Sequence, residues 1–314
     1  MSYVEIRNIY KSFEKTDALA NVSFDIKEGD RFGLIGPNGA GKTTLIDIMT
    51  GIVREDSGSV TIDGNVIPNN LVEVRSQIGY VPQEIALMEH LNAKNNLEYF
   101  GGLYGLSGKL LKERIAEALE VVGLSDTNKK KVKEFSGGMK RRLNIAAAVL
   151  HRPKFLILDE PTVGVDPQSR NKIFEFIIQL NKEQGTTILY TSHYMEEVEA
   201  LSNTVFILDE GEQVAYGTQA EIKSMVQEEL KWVLEVNLKQ GEGFGQRVEI
   251  NVPGIIQVTE ENTEYHLVVD SEVFKSNDLL AFLQAENTEF VSLAKEDISL
   301  EDAFLQLTGK TLRD

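Results

Sequence analysis

Nine consecutive residues, Gly36, Pro37, Asn38, Gly39, Ala40, Gly41, Lys42, Thr43 and Thr44, have the types and spacing that a polyphosphate needs. They fill every specified position of the pattern Gly-x-x-x-x-Gly-Lys-Ser/Thr. Glycines let successive backbone N–H groups turn inward around phosphate oxygens, and the N-terminus of a following helix adds partial positive charge. Lys42 would reach the β- and γ-phosphates, and the Thr43 hydroxyl would ligate Mg²⁺. The stretch therefore reads as a nucleotide-binding loop.

Such a loop works only when a strand delivers it and a helix receives it. The apolar run Arg31-Phe32-Gly33-Leu34-Ile35 precedes it at strand length, and Leu45, Ile46, Ile48 and Met49 behind it have helical spacing. Upstream, residues 3–9 and 22–26 alternate polar with apolar, as half-buried strands do. Residues 57–64 and 78–83 read as further short strands, the second ending at Pro82. From about residue 84 to 150 the pattern is helical, with Leu111, Ile115, Ala118, Leu119 and Val122 forming one apolar stripe. Residues 155–158 are continuously apolar, as in a parallel strand buried on both faces. A helix over 168–182, a strand over 186–191, an apolar run over 205–208 and a helix within 217–227 follow.

This alternation predicts an α/β core with a mainly parallel sheet, interrupted by a helical subdomain. Beyond it, residues 232–238, 248–252, 255–258, 265–269 and 290–293 read as strands, with helices over 277–285 and 300–308. The expected division is an ATPase-like domain over 1–227 and a small α+β C-terminal domain over 228–314. Ligands of open α/β sheets sit at the carboxyl ends of strands, where the glycine loop, Gln83, Asp159-Glu160 and His193 all fall.

Composition narrows the classes. The chain of 314 residues has no cysteine, which excludes disulfides and thiolate metal sites and suits a reducing compartment. The net charge is −17, with −11 of it in residues 221–314, and this argues against a nucleic-acid binder. The N-terminal residues lack a signal-peptide pattern and no apolar run approaches ~20 residues. Membrane-spanning helices would have to come from another chain.

Four further stretches specify the nucleotide chemistry. Ser136-Gly137-Gly138 sits between Phe135 and Met139-Lys140-Arg141-Arg142, where Ser136 can cap a helix and two glycines expose backbone N–H groups. Leu156-Ile157-Leu158 ends in adjacent carboxylates, Asp159 and Glu160. Thr162-Val163-Gly164-Val165-Asp166 follows, and Tyr190-Thr191-Ser192-His193 ends the next strand. With these residues the chain resembles the ATP-binding subunits of ABC transporters over about residues 3–227. The form of the 135–142 stretch, with the ending Ser299-Leu300-Glu301-Asp302-Ala303-Phe304, is most similar to ATPases of ABC-2-type exporters.

The resemblance implies a P-loop ATPase core with an antiparallel N-terminal β subdomain and a helical subdomain, and it implies roles. Phe13 would stack on adenine, Gln83 would sense Mg²⁺ and the γ-phosphate, and Asp159 would hold Mg²⁺. Glu160 would act as general base on the attacking water, and His193 would bond the γ-phosphate. Ser136, Gly137 and Gly138 would close over the ATP of a second ATPase subunit, with Asp166 in the loop that crosses between them. One phosphate loop and one such helix tip per chain then imply a pair of subunits, most simply a homodimer, on a separate transmembrane permease. The implied location is the cytoplasmic face of the membrane. Residues 92–97 resemble a helix start that joins the permease dock. Two alternatives stay open: a soluble ATPase of the same family serving DNA repair, the ribosome or cofactor assembly, and an importer ATPase. Sustained heptads and a second phosphate loop, which would favour the soluble types, do not occur in the sequence.

Overall fold

A computed structural model describes residues 2–14, 16–127, 130–192, 194–226, 230–237, 241, 243–270, 272–296 and 298–309. The chain divides into two compact units, Met1–Ile222 with Phe304–Asp314, and Lys223–Ala303.

The first strands are β1 (Ser2–Phe13), β2 (Thr16–Lys27) and β3 (Arg31–Ile35), followed by helix α1 (Lys42–Met49). β4 (Ser57–Ile62), β5 (Asn65–Ile67), α2 (Leu71–Gln77) and β6 (Ile78–Val81) come next. β1, β2, β4 and β5 form an antiparallel sheet in the order β2-β1-β4-β5. Its inner alternate residues, among them Val4, Ile6, Val22, Ile26, Val60 and Ile62, are fully buried against Phe32, Phe155 and Phe206.

The helical stretch contains α3 (Ala93–Leu103), α4 (Gly108–Val121) and α5 (Gly137–Val149). Ile115, Ala118, Leu119 and Val122 form the expected stripe and pack with Leu97, Leu143 and Ala146. Asn92 caps α3 by accepting the Asn95 N–H at 2.8 Å. The wholly buried Asn96 accepts the Met88 N–H at 2.8 Å and donates to the Met88 and Asn92 carbonyls. Residues 92–97 thus begin a helix, and their amides fix the loop before it.

β7 (Phe155–Asp159), α6 (Pro167–Gln184), β8 (Thr187–Thr191), α7 (Met195–Leu201), β9 (Thr204–Asp209), β10 (Glu212–Thr218) and α8 (Gln219–Val226) complete the core elements. The central sheet has the order β10-β9-β3-β8-β7-β6; all its pairings are parallel except β9 with β10. Every residue of β7 and β8 is buried, as their uninterrupted apolar character requires. The fold class is the expected α/β type with added antiparallel sheets. β10 and α2 escape the sequence reading because short, half-polar elements carry little periodic signal.

The second unit has β11 (Leu230–Val236), α9 (Phe244–Asn251), β12 (Ile255–Glu261), β13 (Glu264–Val269), α10 (Ser276–Ala285) and β14 (Phe290–Glu296). Its antiparallel sheet runs β12-β13-β11-β14 and buries Leu234, Tyr265 and Leu267 with Phe244, Val248, Leu279 and Leu283. Residues 248–252, expected as a strand, largely belong to helix α9 instead. Phe244 and Val248 are four apart and share its buried face, so the period of 3.6 prevails over β-branched composition. Position 238, assigned by sequence to the preceding strand, lies outside the described residues. The last helix is α11 (Leu300–Thr308), capped through a reciprocal pair in which Ser299 Oγ accepts the Asp302 N–H and donates to its carboxylate.

Candidate functional site

The strand order sets four carboxyl ends side by side. Leu34 of β3 and Asp159 of β7 are both in register with Thr191 of β8, and Leu158 is in register with Val81 of β6. Just beyond these ends lie Gly36, Gln83, Glu160 and Ser192. Parallel pairing alone therefore gathers residues that are more than a hundred positions apart.

In the loop after β3, Gly39 and Gly41 have φ of +81° and +103°, the left-handed region that glycine occupies without strain. Space is as decisive as angle. A Cβ on Gly36 would lie 2.1 Å from the Leu208 carbonyl oxygen, and one on Gly41 would lie 2.4 Å from the Ala18 carbonyl oxygen. The loop backbone is bare where N–H groups must approach a ligand, and α1 starts directly behind it, so the cradle fits a phosphate chain. Lys42 is buried and donates from Nζ to the Gly36 and Pro37 carbonyls at 2.7 and 2.9 Å. Burial lowers its pKa, against the opposing pull of Glu160 and Asp159. Asn38, Thr43 and Thr44 are at least partly accessible on the same loop, whereas Pro37 and Ala40 are buried beneath it.

Asp159 and Glu160 are buried at the end of β7. Thr191 joins them: its hydroxyl donates to Asp159 Oδ1 at 2.7 Å and accepts the Glu160 N–H at 2.9 Å. Glu160 has φ of +47°, a conformation rare for a residue with a Cβ, held here by its surroundings. Gln83 Nε2 donates to Glu160 Oε2 at 2.6 Å. Asp47 of α1 is raised in pKa by burial and by the charge of Asp159. A carboxylate at Asp159 and a hydroxyl at Thr43 are oxygen donors of the hard type that suits Mg²⁺.

A second group lies at the start of α5 and the loop before α6. Ser136 Oγ caps α5 by accepting the Met139 N–H at 3.3 Å. Ser136 and Gly137 are exposed, while Gly138 is buried where a Cβ would meet Ser169 Oγ at 2.7 Å. Phe135 fills the core of the helical region, which explains an aromatic ring there. Asp166 caps α6 by accepting the Ser169 N–H at 2.9 Å, and that bond, with Arg142 nearby, holds its carboxyl below the usual range.

Phe13 is 46% exposed, so it is not a core residue; Lys11 Nζ lies 5.2 Å from its ring centroid. His193 lies outside the described residues. One residue without an expected role joins the two groups. Arg141 of α5 is buried and donates to the Pro82 carbonyl at 2.9 Å and the Gln83 carbonyl at 2.6 Å. Burial lowers its pKa while Asp159 and Glu160 raise it. The available signal was its helical face, shared with the buried Gly138, Asn144 and Ile145.

Comparison with known proteins gives a consistent set of matches. A family model described as ABC transporter matches residues 19–163. The linearmycin resistance ATP-binding protein of Bacillus subtilis (strain 168) is 43% identical over 316 aligned residues, covering 99% of this chain and all of that protein. A daunorubicin resistance ATP-binding protein of Streptomyces coeruleorubidus is 34% identical, covering 95% of this chain and 92% of its own length. A solved ATP-binding cassette, a dimer in a post-hydrolysis state bound to ADP and Pi, is 28% identical with a TM-score of 0.62, covering 68% of this chain and 98% of that one.

Proposed function

Because this chain belongs to the ABC transporter family as an ATP-binding subunit that hydrolyses ATP, we propose that it works as one half of a pair of identical subunits powering export through a separate membrane protein. The observation that carries the reading is the pairing of an exposed Ser136-Gly137 helix tip with a phosphate loop on the carboxyl edge of the sheet. The cap leaves further N–H groups at the start of α5 able to bind an anion, and the partner's γ-phosphate is the anion that fits.

In this reading the glycine loop and Lys42 hold the β- and γ-phosphates, and Phe13 offers its open ring to adenine. Asp159 and Thr43 would hold Mg²⁺, which when bound supplies charge neutralisation on the phosphate oxygens. Glu160 accepts a proton from water as it attacks the γ-phosphorus, while the bond to the β-phosphate oxygen breaks and ADP leaves. Gln83 orients Glu160, and His193 is assigned to the γ-phosphate by its place after β8. Loss of the γ-phosphate removes the charge that joined the subunits, so they separate.

The dock for the membrane protein is a groove of about 820 Å³ lined by Ile52, Val72, Arg75, Leu103, Tyr104 and His151. Ile52, Val72 and Leu103 are 61%, 79% and 65% exposed, which supports an apolar helix face as the occupant. Among the described residues no helix is long and apolar enough to cross a membrane. A position on the cytoplasmic face, held there by the partner, follows from this reading. Blocking turnover with Glu160→Gln and adding ATP should give a species of twice the monomer mass in light scattering; a monomer under those conditions sinks the shared-site reading.

A further inference from the structure

A carboxylate with no part in the chemistry above is sealed beside it. Glu197 of α7 is 2% exposed, yet its Oε2 accepts three hydroxyl donors: Thr162 Oγ1 at 2.7 Å, Tyr190 OH at 2.8 Å and Ser192 Oγ at 2.6 Å. Its Oε1 faces Arg170 Nη1 at 3.8 Å. These partners come from separate places in the chain. Thr162 opens the loop that runs from Glu160 to Asp166, and Arg170 stands in the first turn of α6, immediately after that loop. Tyr190 belongs to β8 and Ser192 follows its last residue. Ser192 Oγ also accepts the Tyr194 N–H at 3.0 Å, which ties the start of α7 to the same point.

Burying a carboxylate is unfavourable by several kcal/mol before its contacts offset the loss, and such arrangements contribute little net stability. Apolar side chains would pack the same space. What a carboxylate oxygen does, and a methyl cannot, is gather several donors at one point with fixed directions. That point lies between the 162–166 loop and the end of β8.

We propose that Glu197 is a positioning residue for ATP hydrolysis, which ties Thr162 of the loop after Glu160, and Arg170 at the start of α6, to the end of β8 and so keeps Glu160 and the loop bearing Asp166 in register with the bound γ-phosphate. The proposal rests on the assignment of Glu160 as general base and of that loop as the one facing the second subunit. Glu197 acts through Thr162, Ser192 and Arg170.

The test uses the full chain with Glu197→Gln, and with Thr162→Val and Ser192→Ala, which each delete one donor. Phosphate release gives kcat and KM, a fluorescent ATP analogue gives nucleotide affinity, and thermal melting gives stability. Glu197→Gln should lower kcat by about tenfold or more, as small displacements of reacting groups do, with KM and affinity within about twofold. Thr162→Val and Ser192→Ala should show the same split at smaller amplitude. An unchanged kcat in Glu197→Gln overturns the proposal, and so does a fall in kcat that merely follows lost affinity and melting temperature. If Glu197→Gln gives no cooperative melt, unchanged kcat in both single-donor variants overturns it. A Glu160→Gln control separates the readings, since persistent turnover there refutes the base assignment itself.

Discussion

Gln83 Nε2 donates to Glu160 Oε2 at 2.6 Å, so the amide that follows β6 is fastened to the carboxylate that follows β7. The two loops lead to different parts of the molecule: one into the helical region, the other towards α6. A displacement of the first is thus felt at Glu160. Replacing Gln83 by Glu would remove the amide donor and put a second carboxylate against Glu160. Turnover measured by phosphate release should fall at pH 7, and an equal kcat would remove the Gln83–Glu160 bond from the account.

Arg141 holds the Pro82 and Gln83 carbonyls with two guanidinium nitrogens. Lysine keeps the charge but cannot reproduce the fork. Arg141→Lys should reduce kcat by about tenfold while leaving KM close to the parent value, measured by phosphate release; equal kcat would remove Arg141 from the account.

The glycine loop tolerates no side chain at position 36, where a Cβ would lie 2.1 Å from the Leu208 carbonyl oxygen. Gly36→Ala should lose about 1–3 kcal/mol of stability through overpacking and should abolish nucleotide binding. Denaturant unfolding and a fluorescent ATP titration check the two effects separately.

The Tyr104 and His151 rings stack at 3.6 Å, 3° from parallel, and His151 Nε2 lies 3.0 Å from the Ile78 carbonyl oxygen. Burial pushes the imidazole down to about 4 from an ordinary 6.5. A depressed folded pKa means that the neutral ring supports the fold above pH 6.5. That support drains away as the pH falls towards 4, by about 3 kcal/mol in all. Melting temperature followed from pH 7 to 4 should fall less steeply in His151→Phe than in the parent, because phenylalanine keeps a flat ring without titrating.

Ser136 is exposed and caps α5. Ser136→Glu would set a carboxylate where a second subunit's γ-phosphate is assigned. In the Glu160→Gln background it should prevent the ATP-dependent dimer expected in light scattering, with the monomer's ATP affinity within about twofold, since like charges repel in a closed interface.

Much of the core was legible because its signals are local. The phosphate loop, the apolar run 155–158 and the stripe through Ile115 and Leu119 each depend on residues within one or two turns of one another. Helix α9 is misread because three β-branched residues near its end, Val248, Ile250 and Val252, alternate as in a strand, and only Phe244 on the buried face with Val248 decides for the helix. Arg141, Thr191 and Glu197 were silent for a different reason: each has its meaning from partners far away in sequence, such as Gln83, Asp159 and Thr162.

The sequence by itself determined that a glycine loop, a lysine and a carboxylate pair would serve a nucleotide, since backbone freedom and side-chain chemistry are properties of residue type and short spacing. Only the tertiary structure decided how these groups are held. The order of parallel strands sets the ends of β3, β6, β7 and β8 together, and burial there favours partners for polar groups such as those of Thr191 and Gln83. Those partners come from whichever segment the sheet places alongside, a relation that no spacing along the chain encodes.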